Sequence, residues 1–403
     1  MIIALKVLFF VVTGYYVFCG LYVFVFSVAG WFYKDPVFGK AVRQRKIAVF
    51  VPAYKADMVI EDLVNNVLLQ DYPNFDLIVI ADTLSGEVMQ RLNQKPVKLM
   101  PFSDPNRTKA LALNTIMSQL PDEYEIAFIL DADNLIPDKS YLSRLNEIFE
   151  SGVQAVQTHR SAKNTNTVLA LLDAVSEEIN HQIFRRGHAA LGLSSGLTGS
   201  AMAFDYRLYQ EQMKGITSSG EDKELEVKLL KKRIPIAYHE GMIVLDEKIQ
   251  HAASFVHQRA RWIANQLVQT RNNAGEGFRQ LFRGNIDFFD KAMQQFLLPR
   301  LLLIASVFGF SVLAVIFLSG IYMYVWIMIV VVTYSGILAS IPKRLYTTEL
   351  LKAVLYLPKA LALMILSLFR MKGATKKFVA TEHVAVPCDE LLNDTFIKTK
   401  HQE

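Results

Sequence analysis

Two cysteines are too few for a disulfide framework, and their placement removes a cysteine metal site as well: Cys19 lies in an apolar run and Cys388 near the C-terminus. Charge is missing from two long stretches. Residues 7–33 (27 in a row) and 301–342 (42 in a row) contain no Asp, Glu, Lys or Arg. The polar block between them, residues 44–295, has no Pro/Gly/Ser-rich linker, low-complexity tract or internal repeat. It also shows no Ser-His-Asp or Cys-His arrangement that would demand a covalent nucleophile. His159, His181 and His188 read as ordinary polar or core histidines, with no role assigned.

The chain does have apolar surface in excess. Mean hydropathy is +0.24 and 52% of the 403 residues are hydrophobic, too much for an ordinary soluble domain. A helix rises about 1.5 Å per residue and a bilayer core is about 30 Å thick, so roughly 20 residues span it. The first uncharged run is one span. It is too long for the core of a cleaved signal peptide and reads as a retained anchor. The second fits two spans hinged near Ser319 and Gly320. Lys34, Lys40, Arg43, Arg45 and Lys46 follow the first span, which puts the polar block in the cytoplasm and the N-terminus outside. Such flanks account for the net charge of +5, so nucleic-acid binding is not inferred from it. Residues 353–369 form a shorter apolar stretch containing Pro358 and Lys359. An amphipathic helix on the cytoplasmic face fits its charges; a fourth span is the alternative.

In the polar block, "KIAVFVPAY", "FDLIVIAD" and "IAFILDAD" read as strands. "MVIEDLVNNVLLQ" and "TKALALNTIMSQL" read as helices between them, which is the pattern of a parallel α/β sheet. Ligands of such sheets bind beyond the carboxyl ends of the strands. Tyr54, Asp57, Asp82, Asp131 and Asp133 fall there. A strand alternates its side chains, so Asp131 and Asp133 can point the same way while Ala132 points away. Two convergent carboxylates suit magnesium or manganese, which take remaining ligands from phosphates and water. The alternative is a plain turn with an Asx cap.

Further on, "TGSAMAF" gives small residues and then a strand. In "SSGEDKELEVKLLKKR", Ser218 or Ser219 can cap a helix whose first turn holds Glu221 and Asp222. These acids suit the helix dipole, and a carboxylate there can equally reach a substrate hydroxyl. In "FVHQRARWIANQ", Gln258, Arg261 and Trp262 share one helix face while Arg259 turns aside. Such a face can bracket a sugar and a diphosphate, or lie at lipid headgroups.

Taken in order, "VPAYKAD", "IVIAD", "RTKALALN", "DADN", "TGSAMAF", "SGED" and "QRARW" resemble the membrane-embedded family 2 glycosyltransferases, the group that includes cellulose, hyaluronan and poly-N-acetylglucosamine synthases. The resemblance covers roughly residues 47–266. It implies an α/β nucleotide-sugar transferase fold, a mixed sheet with a Rossmann-like first half. Around it would sit one N-terminal and at least two C-terminal transmembrane helices. The implied divisions are an anchor (1–33), a cytoplasmic transferase domain (34–250), the QRARW and interfacial helices (251–298), a membrane hairpin (299–342), and a fourth or interfacial helix with its tail (343–403). It also implies roles. Tyr54 and Asp82 would contact the uridine, Asp131 the nucleotide-sugar and Lys109 the diphosphate. Asp133 would bind magnesium or manganese, and Asp222 would be the general base. Gln258, Arg261 and Trp262 would hold the diphosphate and the acceptor end. Two departures stand out: Thr108 replaces the usual glycine before Lys109, and "ADTLS" carries one aspartate where many members have two. "KKFVATEH" in the tail loosely resembles a gating segment of cellulose-synthase-like enzymes.

The implied reaction is inverting transfer from a UDP-sugar to a growing polysaccharide at the cytoplasmic membrane. Three firm spans make a thin channel, so a homo-oligomer or an export partner is expected if a polymer crosses. The alternative is addition of one sugar to a lipid-linked acceptor. A non-catalytic membrane component binding nucleotide-sugar or polysaccharide, or a plain transporter, fits less well. A catalyst needs this many separately placed polar groups, and no ionisable pair lies within the two C-terminal spans.

Overall fold

The first uncharged run folds as one continuous helix, α1 (Ile2–Ala29), closed by a 3₁₀ turn at Gly30–Phe32. The computed structural model describes residues 2–371, so the tail "KKFVATEH" lies outside the described residues. After the turn the chain runs as an extended strap to the sheet. Tyr33 donates to the Tyr238 carbonyl (2.6 Å), and the Asp35 carboxylate accepts from the Glu240 and Gly241 amides (2.6 Å each). Arg43, Arg45 and Lys46 are spent on carboxylates of the domain (Glu125, Glu150, Asp76 and Glu123), whereas Lys34 and Lys40 are exposed.

The strap enters a seven-stranded mixed sheet ordered β3-β2-β1-β4-β6-β5-β7. Its first half is a parallel unit: β1 (Ile47–Tyr54), α2 (Ile60–Val67), β2 (Phe75–Asp82), α3 (Gly86–Asn93), β3 (Lys98–Pro101), α4 (Lys109–Met117) and β4 (Ile126–Ile129), of which α3 and the edge strand β3 were not expected from the sequence. The strands are apolar on both faces because helices cover both. Val49, Val51 and Val79 pack under α2 and under α5 (Tyr141–Glu150), while Phe50, Ile78 and Ile80 pack under α4.

Beyond β4 the sheet changes sense. β5 (Ala155–Ala162) is followed by α6 (Val168–His181), a π-helical turn (Gln182–Gly187) and the short α7 (His188–Ala190). β6 (Met202–Asp205) then inserts antiparallel between β4 and β5. α8 (Tyr206–Met213) and α9 (Glu221–Lys231) lead to β7 (Ala237–Asp246) at the far edge, parallel to β5.

The 31-residue α10 (Ala252–Phe282) and α11 (Ile286–Gln294) carry the chain to the second uncharged run. That run divides where the sequence placed the hinge: α12 (Arg300–Phe317) and α13 (Ile321–Ala339) flank Gly320, whose φ of +59° favours glycine. With α1 these are three helices long and apolar enough to cross a membrane. The shorter apolar stretch forms two helices, α14 (Thr348–Val354) and α15 (Leu357–Phe369), bent by 54°. Pro358, in the first turn of α15, cannot continue α14. Taken together, the bent pair would make a fourth candidate span.

Small residues let the membrane helices approach closely. Ser27 of α1 donates to the Gly336 carbonyl of α13 (2.6 Å), and Gly20 abuts Thr333. Where α1 leaves the bundle it meets the π-helical turn: Gln182 donates to the Ser27 carbonyl (2.7 Å), and Gly187 lies against the Phe26 carbonyl. A Cβ at Gly187 would fall on that backbone oxygen, which cannot swing away. Around Gly14, by contrast, nothing lies within 4 Å of an added Cβ. Gly187→Ala is therefore expected to lower the melting temperature of the detergent-solubilised protein by several degrees, and Gly14→Ala to leave it unchanged. Equal effects would contradict this packing.

Candidate functional site

β1 and β2 end in register, with Tyr54 opposite Asp82. The next residue on each strand, Lys55 (φ +51°) and Thr83 (φ +60°), turns through the left-handed region; Ala201 (φ +53°) does so before β6. Such conformations cost side-chain-bearing residues about 1–3 kcal/mol. Three of them lie at strand ends along one rim of the sheet. Arg107, which the motif reading passed over, joins the first two strand ends. Its guanidinium lies 5.3 Å from the Tyr54 ring centre, 3.4 Å from Asp82 and 3.1 Å from the Thr83 hydroxyl. Thr83 in turn donates to Asp82 (2.8 Å). Together they form an aromatic floor with a buried carboxylate at its edge.

Asp131 and Asp133 do not lie on a strand as expected, because β4 ends at Ile129. They belong to a turn. The Asn134 side chain accepts from the Asp131 amide (2.9 Å), and the Asn134 amide donates to the Asp131 carbonyl (3.0 Å). The alternation argument therefore does not apply to them; they sit on a β-turn closed by Asn134. Asp133 is buried and accepts from the Glu247 amide at 3.3 Å. Asp131, about a third exposed (36%), is bound by Lys109 and lies 4.0 Å from Arg160. Burial alone would push its carboxyl up, but Lys109 and Arg160 outweigh burial and hold it below the usual range. Lys109 also donates to the Gly199 carbonyl (2.8 Å). Thr108, in place of the family's glycine, caps α4 by accepting from the Leu111 amide (3.1 Å) and so sets the start of the helix that carries Lys109.

Behind Asp131 lies a buried ion network that the motif reading did not find. Arg160, at the end of β5, donates to Glu177 on α6 (2.7 Å) and lies 3.7 Å from Asp246 at the end of β7. Lys248 binds Glu177 and donates to Asp246 (2.8 Å). Burial opposes ionisation of Glu177, yet Arg160 and Lys248 pull its carboxyl down to about 2. The one sequence signal was "VLDEK", a second strand running into acids, and it matched no spacing rule. His159, His181 and His188 are buried on local partners: Glu178, the Arg160 carbonyl, and Tyr22 with Asp290.

The facing wall is the start of α9. Neither Ser218 nor Ser219 caps it. Gly220 holds that position and abuts the Asn265 side chain of α10, which a bulkier residue would displace. Glu221 is buried and Asp222 half-buried. Arg261 of α10 faces Glu221, Asp222 and Asp131. Burial pulls its guanidinium below its ordinary value, and these three acids oppose the shift. Lys109 likewise feels Asp131, Glu221 and Asp222. Gln258 has its side-chain carbonyl buried without a hydrogen-bond partner in the protein. Trp262 leaves the group. Its ring, 39% exposed, stacks on the guanidinium of Arg259 (4.4 Å), which α6 holds through Asp173. Arg259 thus turns away from the carboxylates, as expected, but takes Trp262 with it.

Among the described residues no three His, Cys, Asp or Glu side chains gather as a protein-only metal site. The donor set still fits a hard divalent cation that needs phosphate and water to complete its shell. Asp133 offers carboxylate oxygen at the crevice, and Asp131 is already balanced by cations.

Glu221 makes the site pH-sensitive. Burial, Asp222 and Asp131 push its carboxyl up from 4.5 to about 7, against the pull of Lys109. The folded chain therefore keeps a proton that the unfolded chain releases, and Glu221 costs increasing stability as pH rises from 4.5 through 7. Glu221→Gln cannot ionise. Its melting temperature relative to the parent is expected to be higher at pH 8 than at pH 5; a pH-independent difference would contradict the burial of this carboxyl.

The chain is 22% identical over 196 residues to poly-β-1,6-N-acetyl-D-glucosamine synthase of Staphylococcus epidermidis, a match covering 46% of this chain and 47% of that protein. The match thus spans about half the length of the curated relative. A mannosyltransferase of Pyrobaculum calidifontis, solved with GDP-mannose and Mn²⁺, superposes with a TM-score of 0.56 at 16% identity. That superposition covers 91% of this chain and 99% of the other, and shows the shared fold. Residues 44–265, more than half the chain, match the family described as glycosyltransferase like family 2. With its α/β crevice and its long apolar helices, the chain belongs to that glycosyltransferase family.

Proposed function

We propose that this chain is an inverting, metal-dependent glycosyltransferase that moves a sugar from a UDP-sugar to a growing polysaccharide at the cytoplasmic face of a membrane. One observation carries the reading. Lys109, Asp131, Glu221, Asp222 and Arg261, from four separate stretches of sequence, come within electrostatic range of one another at one end of the sheet. A binding module has no use for an acid pair opposite a cationic wall, whereas group transfer needs both.

In this reading Tyr54, Asp82 and Arg107 hold the nucleobase. Lys109 and Arg261 face the diphosphate, with Asp131 orienting Lys109. Asp133 is the protein ligand of magnesium or manganese, which would supply Lewis-acid compensation for the leaving diphosphate. Asp222 takes the proton of the acceptor hydroxyl. As that oxygen bonds to the anomeric carbon, the bond from this carbon to the diphosphate oxygen breaks on the opposite face. Glu221, more deeply buried and pushed up to about 7, is only partly ionised near neutrality, and Asp222 is assigned as the base. Gln258 offers a buried carbonyl to the acceptor end, and the Trp262–Arg259 stack forms the rim of the crevice.

The strap fixed to β7 and the exposed Lys34 and Lys40 support a cytoplasmic sheet with the N-terminus outside. A second reading, addition of one sugar to a lipid-linked acceptor, draws support from the membrane part. There, α1, α12 and α13 share one packed apolar cluster, and the only further candidate span among the described residues is the bent pair.

The test is nucleoside-diphosphate release by the protein in lipid nanodiscs, over a panel of UDP-sugars and GDP-mannose, with and without Mn²⁺ or Mg²⁺. Metal-dependent release from a UDP-sugar is expected. Asp222→Asn should lower kcat by about 10²–10⁴-fold with donor KM nearly unchanged. Release that survives this substitution would remove Asp222 as base. Sizing the product separates a polymer from a single addition.

A further inference from the structure

Between the two walls of the crevice runs a loop, residues 196–200, whose backbone is gripped by side chains from four elements. Arg185 of the π-helical turn donates to the Gly196 carbonyl (3.1 Å). Gln157 of β5 accepts from the Thr198 amide (3.0 Å) and donates to the Ser200 carbonyl (3.1 Å). Arg160 reaches the Thr198 carbonyl (3.4 Å), and Lys109 of α4 the Gly199 carbonyl (2.8 Å). The Leu197 peptide is held at both ends from α9. Its amide donates to Glu226 (2.7 Å), and its carbonyl accepts from Lys223 (2.8 Å).

Glu226 is fully buried and lies one helical turn beyond Asp222. The same carboxylate oxygen that takes the Leu197 amide also accepts from Lys223 (3.2 Å). Its other oxygen lies 3.6 Å from the buried Lys291 of α11, which reaches the Ser194 carbonyl (3.4 Å). Burial opposes its charge, and Lys223 and Lys291 prevail, holding the carboxyl below the usual range. The line of contacts is continuous. Asp131 binds Lys109, Lys109 holds Gly199, and Leu197, two residues earlier, is clamped by Glu226 and Lys223 on the helix whose first turn carries Asp222.

We propose that Glu226 is a positioning residue for glycosyl transfer: through the Leu197 peptide it sets the distance between the donor side at Asp131 and the base at Asp222. The role rests on the transferase reading above. Glu226 touches neither substrate, so its loss is a loss of alignment. Misplacement of reacting groups by about 1 Å costs up to 10²-fold in rate.

The experiment uses the full chain in nanodiscs with the donor that supports turnover, and normalises rate to the number of UDP-binding sites, so that misfolded protein does not count. Glu226→Gln keeps an acceptor for the Leu197 amide but loses both lysines. Its kcat per UDP site is expected to fall at least tenfold, with UDP affinity and donor KM within threefold of the parent. Lys223→Met, at a partly exposed side chain, is expected to show the same split and decides the matter if Glu226→Gln does not fold; Lys223→Arg is expected to restore the rate to within threefold. Unchanged kcat per site in both loss variants, or a loss confined to KM, overturns the positioning role. A parent chain that binds UDP and transfers nothing overturns the transferase reading beneath it, a different result from an active parent with unaffected variants.

Discussion

The structure depends on keeping Asp131 charged in a place that water reaches from one side only. Its carboxylate sits at the end of an apolar strand, and Lys109 and Arg160 hold it ionised. Arg160 is itself largely buried, its side chain 14% exposed, and is balanced by Glu177 and Asp246, which share Lys248. Removing one partner from a buried set of this sort typically costs about 3–5 kcal/mol, because the remaining charge is left uncompensated. The ends of β4, β5 and β7 are therefore tied to one another by charge as well as by strand pairing. The crevice is fixed before any substrate arrives.

α6 connects that constraint to the membrane part. On its successive turns Asp173 holds Arg259 of α10, Ser176 and Asn180 hold Arg300 at the start of α12, Glu177 joins the Asp131 network, and Glu178 pairs with Arg344 after α13. The π-helical turn that extends α6 packs backbone to backbone on α1. Through Arg160 this one helix is linked to Asp131, and it also touches the arginine-tryptophan helix and residues at the ends of all three long apolar helices.

Much of this was legible in the sequence for physical reasons. Parallel strands covered on both faces read as unbroken apolar runs, so β1, β2 and β4 stood out, and uncharged runs of membrane length can mean little else. Asp82, Asp131 and Asp133 were visible because carboxylates at the ends of such strands are out of place. Turn and cap details were less visible. Asp131 and Asp133 lie on a β-turn closed by Asn134 where strand alternation was expected, and Gly220, not a serine, stands at the cap position of α9. Arg160 and Glu177 were not legible, and Asp246 and Lys248 showed only as the charged end of one more strand. They lie up to 88 residues apart on β5, α6 and at or just past the end of β7, and no local spacing betrays a contact that only the parallel pairing of β5 with β7 creates. Glu226 and Lys291 escaped for the same reason: each reads as one more charge on a helix.

The most direct test of a crevice built for a sugar nucleotide is a Mn²⁺ titration followed by electron paramagnetic resonance, on the protein in nanodiscs, with and without UDP. Because Asp131 is already neutralised and Asp133 alone makes a poor cage, Mn²⁺ should bind weakly to the protein by itself. It should bind at least tenfold more tightly with UDP present, and Asp133→Asn should abolish that gain. Tight Mn²⁺ binding without nucleotide, or a UDP-dependent gain that survives Asp133→Asn, would contradict a diphosphate-bridged ion at this carboxylate.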